Sequence, residues 1–142
     1  MSKHTDLLLP DHYYHIYNRS IGSEPLFFKQ ENYPYFLNRL IKYVLPVGDI
    51  FSYCLLPNHF HLMFRTKNKI AIAEHYKLLK GKESEDFDDL KYSGFVVGQF
   101  ANAFNSYTKS INKAYKRKGR LFIDPMKRKE VTSNNYFSQL IF

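Results

Sequence analysis

The chain has a single cysteine, Cys54, so no disulfide can close within it. Set in an apolar run, that thiol reads as a buried one, and a chain without a disulfide framework suits a reducing cytosol. Long apolar runs are missing as well. Before Leu7-Leu8-Leu9 stand only a few residues, among them Lys3, His4 and Asp6, and the run is too brief for a signal peptide or a membrane span. The expectation is a soluble, cytoplasmic protein with no membrane partner. Acidic residues are scarce: 13 Asp and Glu face 21 Lys and Arg, a formal net charge of +8. That excess favours a polyanionic partner, although charge alone leaves nucleic acid, an anionic membrane surface and an acidic protein all open. No internal repeat and no linker divides the sequence, so residues 1–142 read as one domain.

Tryptophan is absent, yet Tyr and Phe make up 18% of the chain. Most of these rings are core, but aromatic faces interleaved with Lys and Arg suit unstacked bases and their phosphates. Tyr13 to Asn18 is aromatic and β-branched and runs into a turn at Asn18-Arg19-Ser20-Ile21-Gly22, which predicts a first strand. From Gln30 to Val44, Phe36, Leu37, Leu40, Ile41 and Val44 recur at helical steps, and Pro46 and Gly48 end the helix. Asp49–Leu56 and His59–Thr66 are strands separated by Pro57-Asn58, a turn-forming pair, and so form a hairpin. Ile70 to Leu79 reads as helical, and the charged run from Lys82 to Asp89 as a mobile surface excursion.

A second long helix is expected over Val96 to Tyr115, with Phe100, Ala103, Phe104, Tyr107, Ile111 and Tyr115 facing inward. Its other face and its end are basic, with Lys109, Lys113, Lys116, Arg117, Lys118 and Arg120. A short strand around Met126 to Val131 carries Lys127, Arg128 and Lys129, after which Thr132 or Ser133 caps a helix running from Asn134 to Phe142. The order β-α-β-β-α-β predicts an α+β, ferredoxin-like (RRM-like) fold, one antiparallel sheet with helices on one face, plus a C-terminal helix.

The sharpest local feature is Leu56-Pro57-Asn58-His59-Phe60-His61-Leu62. Side chains alternate along a strand, so His59 and His61 share one face while Phe60 and Leu62 take the other. Two imidazoles side by side are a pair of nitrogen ligands for one divalent ion, a role that neutral histidine fills near pH 7. Two surface or hydrogen-bonded histidines are the alternative reading of the same pattern.

This segment resembles the histidine-hydrophobe-histidine signature of the HUH transposases that move single-stranded insertion sequences, in particular the REP-associated tyrosine transposase branch. Tyr14-His15-Ile16-Tyr17-Asn18-Arg19 is similar to that family's opening strand, and Phe104-Asn105-Ser106-Tyr107-Thr108-Lys109 with Asn112, then Gly119-Arg120-Leu121-Phe122, to its second helix and the turn after it. The resemblance covers nearly the whole chain in order. It implies metal-dependent nicking and joining of a DNA strand, a reaction of transposition and recombination. A tyrosine hydroxyl attacks phosphorus and becomes linked to the 5′ phosphate, releasing a 3′ hydroxyl. It further implies Mg²⁺ or Mn²⁺ as cofactor, single-stranded or hairpin DNA as partner, and a possible homodimer. The DNA contacts it suggests, together with the basic stretches, are Asn18, Arg19, Lys109, Lys113, Lys116, Arg117, Arg120, Lys127 and Lys129.

The sequence departs from that pattern at its end. On this alignment the family's nucleophile falls immediately beyond Phe142, and a further polar metal ligand about one turn later. The chain is therefore expected to bind DNA without forming a covalent adduct. Tyr136, about two turns early on the same helix, and Tyr107 are the conceivable substitute nucleophiles, but both read as packing residues, and Tyr53 and the tyrosines of the first strand have no better claim. His15 can approach the histidine pair from a neighbouring strand but reads, like His4, His12 and His75, as structural. A non-catalytic DNA-hairpin or RNA-binding module of the same fold is the rival reading. An RNA-recognition domain would need exposed aromatics at the middle of its central strands to stack bases, and the residues flanking the hairpin turn are instead Leu and His.

Overall fold

A computed structural model describes residues 4–82 and 87–132. The elements are β1 (Tyr13–Arg19), α1 (Asn32–Tyr43), a 3-10 turn at Leu45–Val47, β2 (Gly48–Leu56), β3 (His59–Thr66), α2 (Lys69–Lys80), α3 (Asp89–Tyr115) and β4 (Lys127–Glu130). The strands form one antiparallel sheet in the order β2-β3-β1-β4. The fold is thus α+β with the expected ferredoxin-like order, and α2 is set between β3 and α3.

Alternation in the two central strands builds the core. Tyr14 and Ile16 of β1 and Phe60, Leu62 and Phe64 of β3 are all fully buried, each such side chain contributing about 1.5–3 kcal/mol of transfer free energy. The ring of Phe60 lies 5.2 Å from Phe36 of α1 and 5.5 Å from Phe104 of α3, and Phe64 lies 5.0 Å from Phe100. Both helices therefore cover the same face of the sheet. In α1 the periodic residues Phe36, Leu40 and Val44 go inward, while Ile41 is 56% exposed. At the start of β2, backbone and ring approach so closely that a Cβ on Gly48 would lie 2.2 Å from the Phe64 ring and 2.5 Å from the Arg65 carbonyl oxygen. Only glycine fits there.

Two expectations are corrected. The long helix begins at Asp89, seven residues before Val96, because the Asp88 side chain accepts the Lys91 N–H as an N-cap and Tyr92 and Phe95 are buried. Of the charged run expected as a surface excursion, residues 83–86 lie outside the described residues, and Phe87 is buried against Tyr76 and Tyr92. Cys54 is half-buried on edge strand β2 rather than enclosed. The C-terminal helix expected from Asn134, with Ser133 and Tyr136, lies outside the described residues; Thr132 is exposed.

An unforeseen feature protects the other edge. Thr5 bridges to Arg128 in parallel, the Asp6 N–H donates to the Arg128 carbonyl at 3.0 Å, and the Asp6 carboxylate accepts the Glu130 N–H at 2.8 Å. The N-terminal segment thereby runs along β4. Among the described residues, no helix is long and apolar enough to cross a membrane.

Candidate functional site

β3 delivers His59 and His61 to the sheet face opposite α1 and α3, since Phe60 and Leu62 between and after them are buried in the core. Their ring centroids are 5.2 Å apart with planes at 83°. Registration with β1 sets Arg19 opposite His59, Tyr17 opposite His61 and His15 opposite Met63. Registration with β4 sets Lys127 opposite Tyr17 and Lys129 opposite His15. Directly paired residues share a face, so three imidazoles, one phenol and three cationic side chains occupy one side of the sheet.

Both histidines are anchored through Nδ1. That of His59 pairs with the Asn58 side-chain oxygen at 2.8 Å, and that of His61 with Nε2 of His15 at 2.8 Å. The His15 and His61 rings lie nearly parallel, 5.1 Å apart. Burial, then the neighbouring His61 and His4, holds His15 well below the usual imidazole range, at about 4. His61 is lowered too, first by burial and then by His59. Near neutral pH both rings are therefore uncharged, the state in which imidazole ligates a metal.

Tyr17 is the residue that sequence reasoning passed over. Its ring stacks on His15 at 4.5 Å and lies 5.8 Å from His61, and its hydroxyl pairs with Nδ1 of His4. It lines a half-open cavity of about 350 Å³ together with Arg19, His59 and Lys127. The period of two in Tyr13-Tyr14-His15-Ile16-Tyr17 put Tyr17 and His15 on a common face; only the register of β1 against β3 puts that face beside His61.

As for a metal, the two imidazoles are the right donors, with ring orientation fixed by partners at Nδ1 as is usual at metal sites. Among the described residues, however, no group of three or more His, Cys, Asp or Glu side chains gathers to hold an ion. His15 spends its Nε2 on His61 and is only 7% exposed.

The remaining candidates divide by what the fold asks of them. Arg19 and Lys129 are exposed and Lys127 half-buried on the histidine face. Lys109, Lys113, Lys116 and Arg120 are exposed along and beyond the end of α3. Asn18 is turned to the other side: 5% exposed, its amide donates to the Ile123 carbonyl at 2.8 Å and its oxygen accepts the Arg19 N–H. Arg117 grips the Glu24 carboxylate through both Nε and Nη2, at 2.9 and 2.6 Å, and also reaches Asn112 and the carbonyls of Gly119 and Arg120. Both side chains are held by hydrogen bonds within the fold. Tyr107 donates to the Leu26 carbonyl at 2.6 Å in full burial, consistent with a packing role. His12 bonds the Pro10 carbonyl, and His75 packs near Phe95.

No family model and no curated protein matches the sequence. Among solved structures, the fold is similar to that of a REP-associated tyrosine transposase bound to a REP hairpin, with a TM-score of 0.64 over 98% of this chain and 67% of that one. At 9% sequence identity the likeness is one of fold.

Proposed function

We propose that this protein binds single-stranded or hairpin DNA across the histidine face of its sheet, in the manner of a strand-nicking and strand-joining domain. The observation that carries the reading is the cavity lined by His59, Arg19, Tyr17 and Lys127, with His61 beside His59 and Tyr17 on the same face of the sheet. The likeness of fold to a transposase bound to a DNA hairpin supports it.

In this reading His59 and His61 hold a divalent ion, Mg²⁺ or Mn²⁺. When bound, it would neutralise charge on a phosphodiester and polarise it toward in-line attack. Arg19, Lys127 and Lys129 neutralise neighbouring phosphates, and the exposed lysines of α3 extend the electrostatic track. His15 is a positioning residue, fixing the orientation and tautomer of His61 through their shared hydrogen bond.

Incubating the protein with a 3′-labelled hairpin bearing a single-stranded flank, with and without Mn²⁺, tests the reaction class on a denaturing gel, because the strand that stays linked to the tyrosine is the one 3′ of the cut. A metal-dependent covalent adduct supports nicking, and Tyr136→Phe and Tyr17→Phe show which hydroxyl carries it. Binding without any adduct favours a DNA-hairpin-binding module. Equal affinity for plain duplex would sink the proposal altogether.

A further inference from the structure

Behind the histidine face, between α3 and the segment leading into β4, lies a second cavity of about 210 Å³. Its floor is aromatic. Phe104 and Phe122 stack 4.7 Å apart and are each 7% exposed. Its rim is polar and reaches solvent: Asn105, Arg120 and Asp124 are exposed and Thr108 is half-buried. Ala101, an exposed small residue one turn before Asn105, leaves the α3 wall low.

The position of this cavity matters as much as its lining. It shares Asn18 and Ile123 with the cavity that holds Tyr17, His59 and Lys127. On its other side it shares Asn105, Thr108 and Arg120 with an open groove of about 830 Å³ that includes Lys109 and Asn112. The aromatic-floored pocket therefore adjoins the cavity beside His59 on one side and the groove at the basic end of α3 on the other. A single strand uses such neighbouring surfaces: cations for its phosphates and an apolar recess for a base that has left its stack.

We infer that the pocket floored by Phe104 and Phe122 and rimmed by Asn105, Thr108 and Arg120 receives one unpaired nucleobase of the bound strand. The inference rests on the DNA-binding reading above and deepens it. The rings supply an apolar platform. Arg120, in a loose 3.8 Å pair with Asp124 on side chains 69% and 84% exposed, can turn to a phosphate. Asn105 and Asp124 then offer a donor and an acceptor to the base edge, the groups by which bases are told apart.

The test is an abasic scan by fluorescence anisotropy. A labelled single-stranded oligodeoxynucleotide is titrated against the protein with an abasic residue stepped through every position. In the wild type, one position should lose about tenfold in affinity, the scale of one base–aromatic contact, while its neighbours change little. Ala101→Phe, which fills the recess from an exposed helix position, should lower affinity for the intact strand by a similar factor and flatten the scan. Asn105→Ala, at another exposed position, should weaken the preference at that one nucleotide without moving the others. A flat scan in the wild type, or a scan that Ala101→Phe leaves unchanged, overturns the pocket while leaving DNA binding intact. Failure to bind any oligonucleotide sinks both readings together.

Discussion

Lowering the pH should destabilise this protein through His15 in particular, and the size of the effect follows from its surroundings. In the unfolded chain an imidazole takes up its proton near pH 6.5; in the fold, burial and the adjacent His61 and His4 defer protonation to about 4. Between those values the unfolded state binds more protons, so stability falls as pH drops from 6.5 toward 4 and is fully retained above 6.5. At about 1.4 kcal/mol for each pH unit the depression corresponds to roughly 3 kcal/mol, and partial solvent screening reduces the expectation to about 2 kcal/mol. The assay is urea denaturation of the wild type and His15→Gln at pH 7.5, 6.0 and 4.5. Glutamine cannot take the proton, so carboxylate titrations common to both proteins cancel in the difference. The variant is less stable at pH 7.5 because it loses packing against Tyr17 and His61, but the gap between the two proteins should close by about 2 kcal/mol by pH 4.5. Parallel stability curves over that range would refute the buried, neutral imidazole pair.

Tyr107→Phe leaves the Leu26 carbonyl without its donor in a fully buried site and should cost about 1–3 kcal/mol, read as a lowered melting temperature with DNA affinity at constant temperature unchanged. Arg19→Gln should reduce the slope of log affinity against log salt by about 0.7 on single-stranded DNA, whereas Arg117→Gln, whose charge is already held by Glu24, should leave that slope alone and lower thermal stability. Equal slope changes for the two arginines would contradict the division between ligand-facing and fold-committed cations.

Much of the scaffold was legible because it rests on local rules. The Pro57-Asn58 turn between two aromatic strands and the period of two across His59-Phe60-His61-Leu62 are enough to predict the hairpin and the shared face of the histidines. The start of α3 was hidden because Gly94 and Gly98 sit in the helix at positions where nothing lies within 4 Å of an added Cβ, and acidic residues precede them. The decisive signal there is Asp88 as a cap, which only the burial of Phe87 and Tyr92 makes evident. Residue type alone also failed to separate Arg117 from Arg120. Both belong to a basic cluster, and it is the distant Glu24, reached through tertiary folding, that removes Arg117 from the surface field. The roles of Tyr17 and His15 depend on strand register, and the pairing of Asp6 with β4 on contacts more than 120 residues apart in sequence. Neither has a local signature.

The central claim is that the histidine face is the DNA site and that His59 and His61 act there with a divalent ion. Its most direct test is anisotropy of a labelled hairpin with a single-stranded flank, measured with Mn²⁺ and with chelator, for the wild type and for His59→Ala/His61→Ala. The wild type should prefer the flanked hairpin to plain duplex of equal length. It should lose affinity by at least about tenfold when the ion or the imidazoles are removed, with no further loss when both are. Binding that is indifferent to chelator, to both substitutions and to strandedness would contradict the account.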